Sequence, residues 1–511
     1  MRVLILTILA VLSFLAAVVL RPTLYVERRN LGLVRELPEE LPAVLREIGS
    51  RNAASLAATI GVFRPILINF LWLRSDAMRR EGRWFEATAL ARGITTLQPR
   101  LPEVWEFQAR SLAYDVSADS PHGDRFRWIL DAVELLRDRG CEYNPTSARL
   151  YWTLSFLFLN KVGDDIDDAH ILYKESLARI FEPPAGVEAQ ALAVHRSRLL
   201  RRWRLDPAFL YVSVVDGDGS SNEELELRSP YSHALYWARI GLALAAKKSE
   251  RYVRFKLRAG SHIALRELLR RGVVIRQPEG RHYANLPDLR FTSSIHRFLD
   301  EELEVYRDDE EMVREIKSVR QQFLEALVVY CTLWNRREAA DDNFRELAVP
   351  PRLASMETFV ADGLATDVPL VDRQTVLDWG AGLVRTSFHL LMVETDATAA
   401  DFGQAAEGMS RLAGLLLADW SRRNTEELPT LDEVRKALAA DTLERLRRAG
   451  RDRLAKRLEE LLADRLPQGE SPSARELGLS SSLRLPPVFD YLHLEALDPL
   501  YGDPPDEKEE P

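Results

Sequence analysis

Cysteine is nearly missing from this 511-residue chain, which has only Cys141 and Cys331. The two stand far apart and no C-x-x-C pair occurs, which excludes a zinc ribbon and a thioredoxin-type motif. Two separate buried thiols are the expected state. Catalytic signatures are missing too. There is no G-x-S-x-G, no G-x-x-x-x-G-K-[ST] and no H-E-x-x-H, so a nucleophile elbow, a P-loop and a zinc-protease helix are excluded. No cofactor and no enzymatic activity are expected on these grounds. Lysine is scarce, nine among 69 basic residues, an arginine bias that fits a GC-rich bacterial genome. A large excess of either charge is absent as well: 69 Lys and Arg oppose 78 Asp and Glu, for a net charge of −9. That balance argues against a general coat for nucleic acid, and no nucleic-acid partner is expected.

What is present begins at the N-terminus. Residues 3–20 run without a charge between Arg2 and Arg21. As a helix they reach roughly 27 Å, close to the hydrocarbon thickness of a bilayer. Val18-Val19-Leu20-Arg21 is a poor cleavage site, so residues 1–21 are expected to be an uncleaved transmembrane anchor rather than a signal peptide. The very short leader favours an inside N-terminus. The expected location is a bacterial inner membrane, single-pass, with the bulk of the chain periplasmic. A charged, proline-punctuated connector spans 22–64. The apolar stretch 53–73 holds Arg64, Pro65 and Asn69, and reads as a buried or interfacial helix rather than a second span.

A short spacing recurs downstream. Pro99 stands six before Trp105, Pro145 six before Tyr151 and Pro230 six before Tyr236. A proline that ends one helix, then a fixed step to an aromatic in the next, marks a helical-hairpin repeat. Gly82 and Ala87, then Ala109 one turn after Trp105, place small residues where helices turn or touch. On these residues the chain resembles the tetratricopeptide repeat in degenerate form, over roughly 66–183 and again at 230–246. The segment Trp72 to Ala178 is also similar to a group of membrane-anchored tetratricopeptide-like bacterial proteins of unknown function. The resemblance implies a fold and a location, and no reaction.

The expected fold is all-α: an N-terminal transmembrane helix, then a tetratricopeptide-like helical-hairpin solenoid with a small β-hairpin insertion. The repeat region covers 65–250. A basic, partly irregular insertion covers 251–300, a C-terminal helical region 301–470, and a Pro-rich, acidic, partly disordered tail 471–511. Phe209 to Val215, ahead of Asp-Gly-Asp-Gly, and Gly272 to Arg276 carry the strand signals. The amphipathic run from Leu431 to Leu466 is one long helix or a pair broken near Gly450.

Two clusters are candidate sites. Asp164, Asp165, Asp168 and His170 have the residue types of a metal site. The competing reading, a helix start capped by carboxylates, fits them better. Arg251, Arg254, Lys256 and Arg258 interleave with Tyr252 and Phe255, which points to a face for anionic headgroups or an acidic partner. Trp72, Trp84, Trp105, Trp128, Trp152 and Trp237 read as core at repeat spacing. The expected function is a membrane-tethered helical-repeat scaffold that mediates protein–protein interaction at the membrane surface, with membrane-associated protein partners. Three other readings stay open. They are an accessory subunit of a membrane transport or envelope-assembly complex, a lipid- or polyanion-binding module, and an enzyme with its site in 250–420.

Overall fold

The computed structural model describes residues 68–184, 187–216, 219–245, 251–276, 283–347, 355–364, 372–392, 399–424, 427–463, 465–466, 472–480, 483–486 and 489. The expected anchor (1–21), the connector (22–64) and the end of the tail lie outside them. The chain divides into two compact units, the first from Met1–Tyr173 and His233–Ser261, the second from Lys174–Ser232 and His262–Pro511. The described residues are mostly helical, with two short β-hairpins. None of the described helices is long and apolar enough to cross a membrane.

The first unit is a stack of helical hairpins. Helix α1 (68–80) turns into α2 (Trp84–Leu97) at Gly82, whose φ of +73° suits a residue without a Cβ. Helix α3 starts at Pro102–Arg110 and runs on through a wide π turn, Ser111–Val116. Helix α4 (Arg125–Glu134) continues through Leu135–Gly140 to Tyr143. Helix α5 (Ala148–Phe156) repeats the shape of α3, with a π turn over Leu157–Val162 in the same register from its start. Helix α6 (His170–Phe181) follows, its first turn to Tyr173 lying in this unit. After a long insertion, α8 (Pro230–Leu244) and the first half of α9 (Arg251–Arg271) follow.

First helices touch first helices, and second helices touch second helices. Tyr114 on α3 donates to Asn160 Oδ1 on α5 at 2.8 Å, and Ser155 on α5 donates to the Ala234 carbonyl on α8 at 2.8 Å. In the other layer Phe85 of α2 meets Trp128 of α4 edge-on at 5.6 Å, and Phe126 of α4 stacks with Tyr173 of α6 at 6.2 Å. The proline–aromatic spacing has a direct cause in this stack. Trp105 Nε1 donates back to the Pro99 carbonyl at 2.7 Å, and the Tyr151 hydroxyl donates to the Pro145 carbonyl at 3.3 Å. Each bond pins the first turn of a first helix to the turn that precedes it.

The third copy is out of phase with the expectation. Pro230 opens α8 itself, whereas Pro99 and Pro145 stand three residues before α3 and α5 begin. Counted from the helix start, His233 occupies the place of Trp105 and Tyr151, and it stacks on Phe158 at 4.7 Å. Proline suits the first helical position as well as the preceding turn, so its spacing alone does not fix the phase.

In the second unit, α7 (Ala189–Arg202) precedes β1 (Tyr211–Asp216), which pairs antiparallel with β2 (Gly219–Glu224). β3 (Val273–Arg276) pairs with β4 (Tyr283–Leu286) in a separate hairpin. Both strand signals therefore close on their own downstream partners. Within the basic segment, Arg251–Arg271 form a helix. Leu257, Ala264, Leu265 and Leu268 bury one face of α9 at three-to-four spacing.

The rest of this unit is helical: α10 (Thr292–Val305), α11 (Glu310–Leu333), α12 (Arg337–Glu346), α13 (Met356–Leu364), α14 (Arg373–Met392), α15 (Ala399–Arg423), α16 (Leu431–Arg448) and α17 (Asp452–Leu462). Gly450, at φ +71°, separates α16 from α17, so the helix pair is the arrangement found. Helix α14 is buried almost throughout. Residues 472–480 and 483–486 run along it as a strap. Gln374 Nε2 donates to the Gly478 carbonyl at 2.9 Å, Arg385 to the Ser480 carbonyl at 2.5 Å, and Arg484 pairs with Asp378 at 3.3 Å. Cys141 and Cys331 are both buried and form no disulfide, and burial pushes the Cys331 thiol up to about 11.

Three histidines of this unit should make it acid-sensitive. His389 on α14 is fully buried with no hydrogen-bond partner on either ring nitrogen, and burial holds it at about 3. Burial, aided by Arg266, lowers His262 to about 4, and burial with Arg320 lowers His296. The unfolded chain takes up these protons near pH 6.5 while the folded chain excludes them. For His389 and His262 this stabilisation is complete above about pH 6.5 and is lost as pH falls toward about 3 and about 4 respectively, at up to about 1.4 kcal/mol per histidine per pH unit, and His296 acts in the same direction. Urea midpoints measured from pH 8 to 4 should fall along this limb. His389→Leu should flatten it without loss at pH 8, because the imidazole nitrogens are unsatisfied there. An unchanged limb in that variant would show that His389 titrates freely.

Candidate functional site

The strongest candidate is the outer stripe of the first helices in the first unit. On α3 the stripe is Glu103, Glu106 with Phe107, Arg110 and Tyr114, at helical spacing. On α5 the equivalent places hold Arg149, Trp152, Phe156 and Asn160. Phe107, Tyr114, Trp152 and Phe156 are each half-buried, as is Trp72 on α1. The other face of each helix carries the hairpin core, such as Val104, Ala109 and Leu112 on α3. Amphipathic patterning fixes which side packs, and the stripe is what remains.

Arginines tie the rings together across neighbouring helices. Trp72 meets Phe107 edge-on at 4.6 Å, and the Arg79 guanidinium lies 5.0 Å from the Phe107 ring while pairing with Asp115 at 3.0 Å. Arg110 lies 5.1 Å from the Phe156 ring. Arg149 bonds Glu106 and pairs with Glu103 at 3.0 Å. Burial raises the Tyr114 phenol, which stays a neutral donor to Asn160. The arginine charges are thus met by carboxylates or ring faces, and several aromatic faces stay partly open. A surface of Trp, Phe, Tyr and Arg with little free charge suits apolar side chains of an extended or helical segment.

The tryptophans divide between this surface and the core. Trp105 and Trp237 are 4% exposed and belong to the core, while Trp72, Trp84, Trp128 and Trp152 are half-buried. Repeat spacing places an aromatic on a helix but does not say which face is later covered. The stripe itself was legible as a second period on α3 and α5, opposite in phase to the buried one.

The acidic cluster forms an ion-paired turn ahead of α6. Asp168 pairs with Arg125 of α4, and Asp165 meets His170 Nδ1 at 3.1 Å. Asp164 accepts the Asp165 amide at 2.8 Å. The capping carboxylate is Asp167, which accepts the Ala169 amide at 2.9 Å and the Tyr173 hydroxyl at 3.1 Å, and also binds Lys161. Burial would raise its carboxyl, but Lys161 and the Ala169 amide outweigh that and hold it at about 2. Among the described residues no group of three His, Cys, Asp or Glu side chains is arranged to hold a metal ion.

The basic face is narrower than its sequence. Arg254 is exposed beside Tyr252 and Phe255, which are 68% and 50% exposed. Lys256 lies 4.5 Å from the Tyr252 ring and 5.8 Å from the Trp152 ring, so its charge is held against aromatic faces. Arg258 turns one guanidinium nitrogen into the interior. Arg251 begins α9.

No protein-family model, curated protein or solved structure matches the chain. The functional reading therefore rests on the residues and their geometry.

Proposed function

We propose that this chain is a helical-repeat scaffold of the tetratricopeptide type, tethered to a membrane by residues 1–21, that holds an apolar segment of a protein partner. The observation that carries the reading is the aromatic stripe of Trp72, Phe107 and Phe156, which crosses three adjacent first helices and is bridged by Arg79 and Arg110. The π turns of α3 and α5 support it, since two hairpins share a backbone irregularity at the same place in the repeat. The uncharged run 3–20 supports the tether. Tethering would confine binding to the membrane surface and raise the local concentration of a membrane-associated partner.

The test is affinity purification of the intact chain from gently solubilised membranes, for the parent and for Phe107→Glu and Phe85→Glu. The parent should retain a stoichiometric protein. Phe107→Glu should lose it at least about tenfold, since a buried charge at an interface centre costs more than a rim change. Phe85→Glu, on the opposite layer, should retain it. Equal retention by Phe107→Glu would remove the first-helix face from the reading.

A further inference from the structure

A cleft of about 470 Å³ opens in the second unit between α14, α15, α16 and α17. Its wall is half apolar, from Phe388, Leu391, Ala406, Leu431 and Leu462. Its polar side holds three arginines, Arg411, Arg435 and Arg465, against one carboxylate, Glu407. In a chain of net charge −9 this is a local excess of positive charge in a concave site.

The cleft is built by close backbone approaches. Helix α11 ends at Leu333, and Asn335 follows with φ +55°, while Arg336 N–H returns to the Cys331 carbonyl at 2.7 Å. This left-handed cap aims the Asn335 amide at Glu407 Oε2, 3.2 Å away. On the other side of Glu407, Arg465 lies at 3.7 Å. Ser410 and Ser387 bond across the cleft between α15 and α14 at 3.1 Å. Glu407 is therefore already engaged by Asn335 and Arg465.

The other two arginines are not. Arg435 projects from α16 with its Nε buried and no acceptor in reach, and Arg411 is exposed on α15 with no ion pair among the described residues. A buried guanidinium nitrogen without an acceptor is costly, and an anion in the cleft would satisfy it. The capping box of α16, Thr430 with Glu433, already occupies that helix end, so the attraction comes from the arginine side chains.

We infer that this cleft binds a small organic anion, a carboxylate or phosphate monoester with an apolar body. The charged end would sit between Arg411 and Arg435. The apolar end would lie on Phe388, Leu391 and Leu462. The size matches a compact ligand rather than a peptide, and guanidinium forks match planar or tetrahedral oxyanions.

The test uses the full chain in a neutral detergent, with 1-naphthyl phosphate and inorganic phosphate as probes in isothermal titration. Naphthyl phosphate should bind saturably and more tightly than inorganic phosphate. Arg435→Gln and Arg411→Gln should each weaken it about tenfold or more, while Lys456→Gln on the exposed side of α17 should leave it unchanged. Both arginines lack structural partners, so the variants should unfold at the parent temperature. The inference is overturned by no saturable heat up to about 10 mM naphthyl phosphate, a ceiling set by millimolar affinities already being weak. Parental affinity in both arginine variants overturns it too. Inorganic phosphate binding as tightly as naphthyl phosphate overturns the apolar end of the site.

Discussion

Gly408→Ala should destabilise the second unit by about 3 kcal/mol or more, the upper part of the range for overpacking. A Cβ on Gly408 would stand 1.4 Å from the Leu333 carbonyl oxygen and 2.2 Å from its carbon. Those atoms are backbone, so no rotamer change relieves the clash. The end of α11 must move away from α15, and Asn335 with its bond to Glu407 moves too. Helix propensity alone predicts the opposite sign, since Ala is favoured over Gly by about 1 kcal/mol in a helix interior. Gly403 supplies the control on the same helix. Nothing lies within 4 Å of its Cβ position, so Gly403→Ala should stabilise by about 0.5–1 kcal/mol. Urea unfolding of the two variants separates the effects. Equal midpoints would mean that α11 and α15 do not meet at this glycine. Gly408→Ala should also weaken naphthyl phosphate, because it shifts one wall of the cleft.

Much of the helical architecture was legible because its causes are local. The Gly82 turn, the hairpin signals after Phe209 and Gly272, and the break near Gly450 are each set by a few adjacent residues. The phase at Pro230 was not legible, because proline fits two positions at a helix start and the deciding contact, His233 on Phe158, comes from a distant helix. The π turns were invisible as well: Ser111 to Val116 and Leu157 to Val162 share no motif. The first-helix stripe was present as a period but masked by the habit of assigning tryptophan to cores. The arginine cleft had no sequence signal at all. Its residues come from separate segments between Asn335 and Arg465, in a chain where arginine is common. Only the chain's path brings Arg411 and Arg435 to the same cleft, and only the geometry shows the buried Arg435 Nε without an acceptor.

Trp105→Ala tests the hairpin stack most directly, and should cost about 3–5 kcal/mol. Trp105 is 4% exposed, stacks on Tyr143 at 5.9 Å, and lies 3.4 Å from where a Cβ on Gly140 would stand. Gly140 in turn is equally close to Leu150 of the next first helix. The indole thus fills the point where α3, α4 and α5 converge, and its removal leaves a cavity with three walls that cannot collapse together. The hydrogen bond is a smaller matter. Pro99 O also accepts Asn144 Nδ2 at 2.8 Å, so losing the indole donor does not orphan that carbonyl. Trp105→Phe should therefore cost less than the alanine variant, and Tyr151→Phe, which loses only a 3.3 Å bond at a partly exposed hydroxyl, should cost under about 1 kcal/mol. The order of the three variants carries the argument. If packing at the convergence point holds the repeat, thermal unfolding ranks alanine far below the two phenylalanine variants. If the carbonyl latch held it instead, Trp105→Phe and Trp105→Ala would unfold together, and the stack of hairpins would need a different explanation from the one given by Gly140 and Trp105.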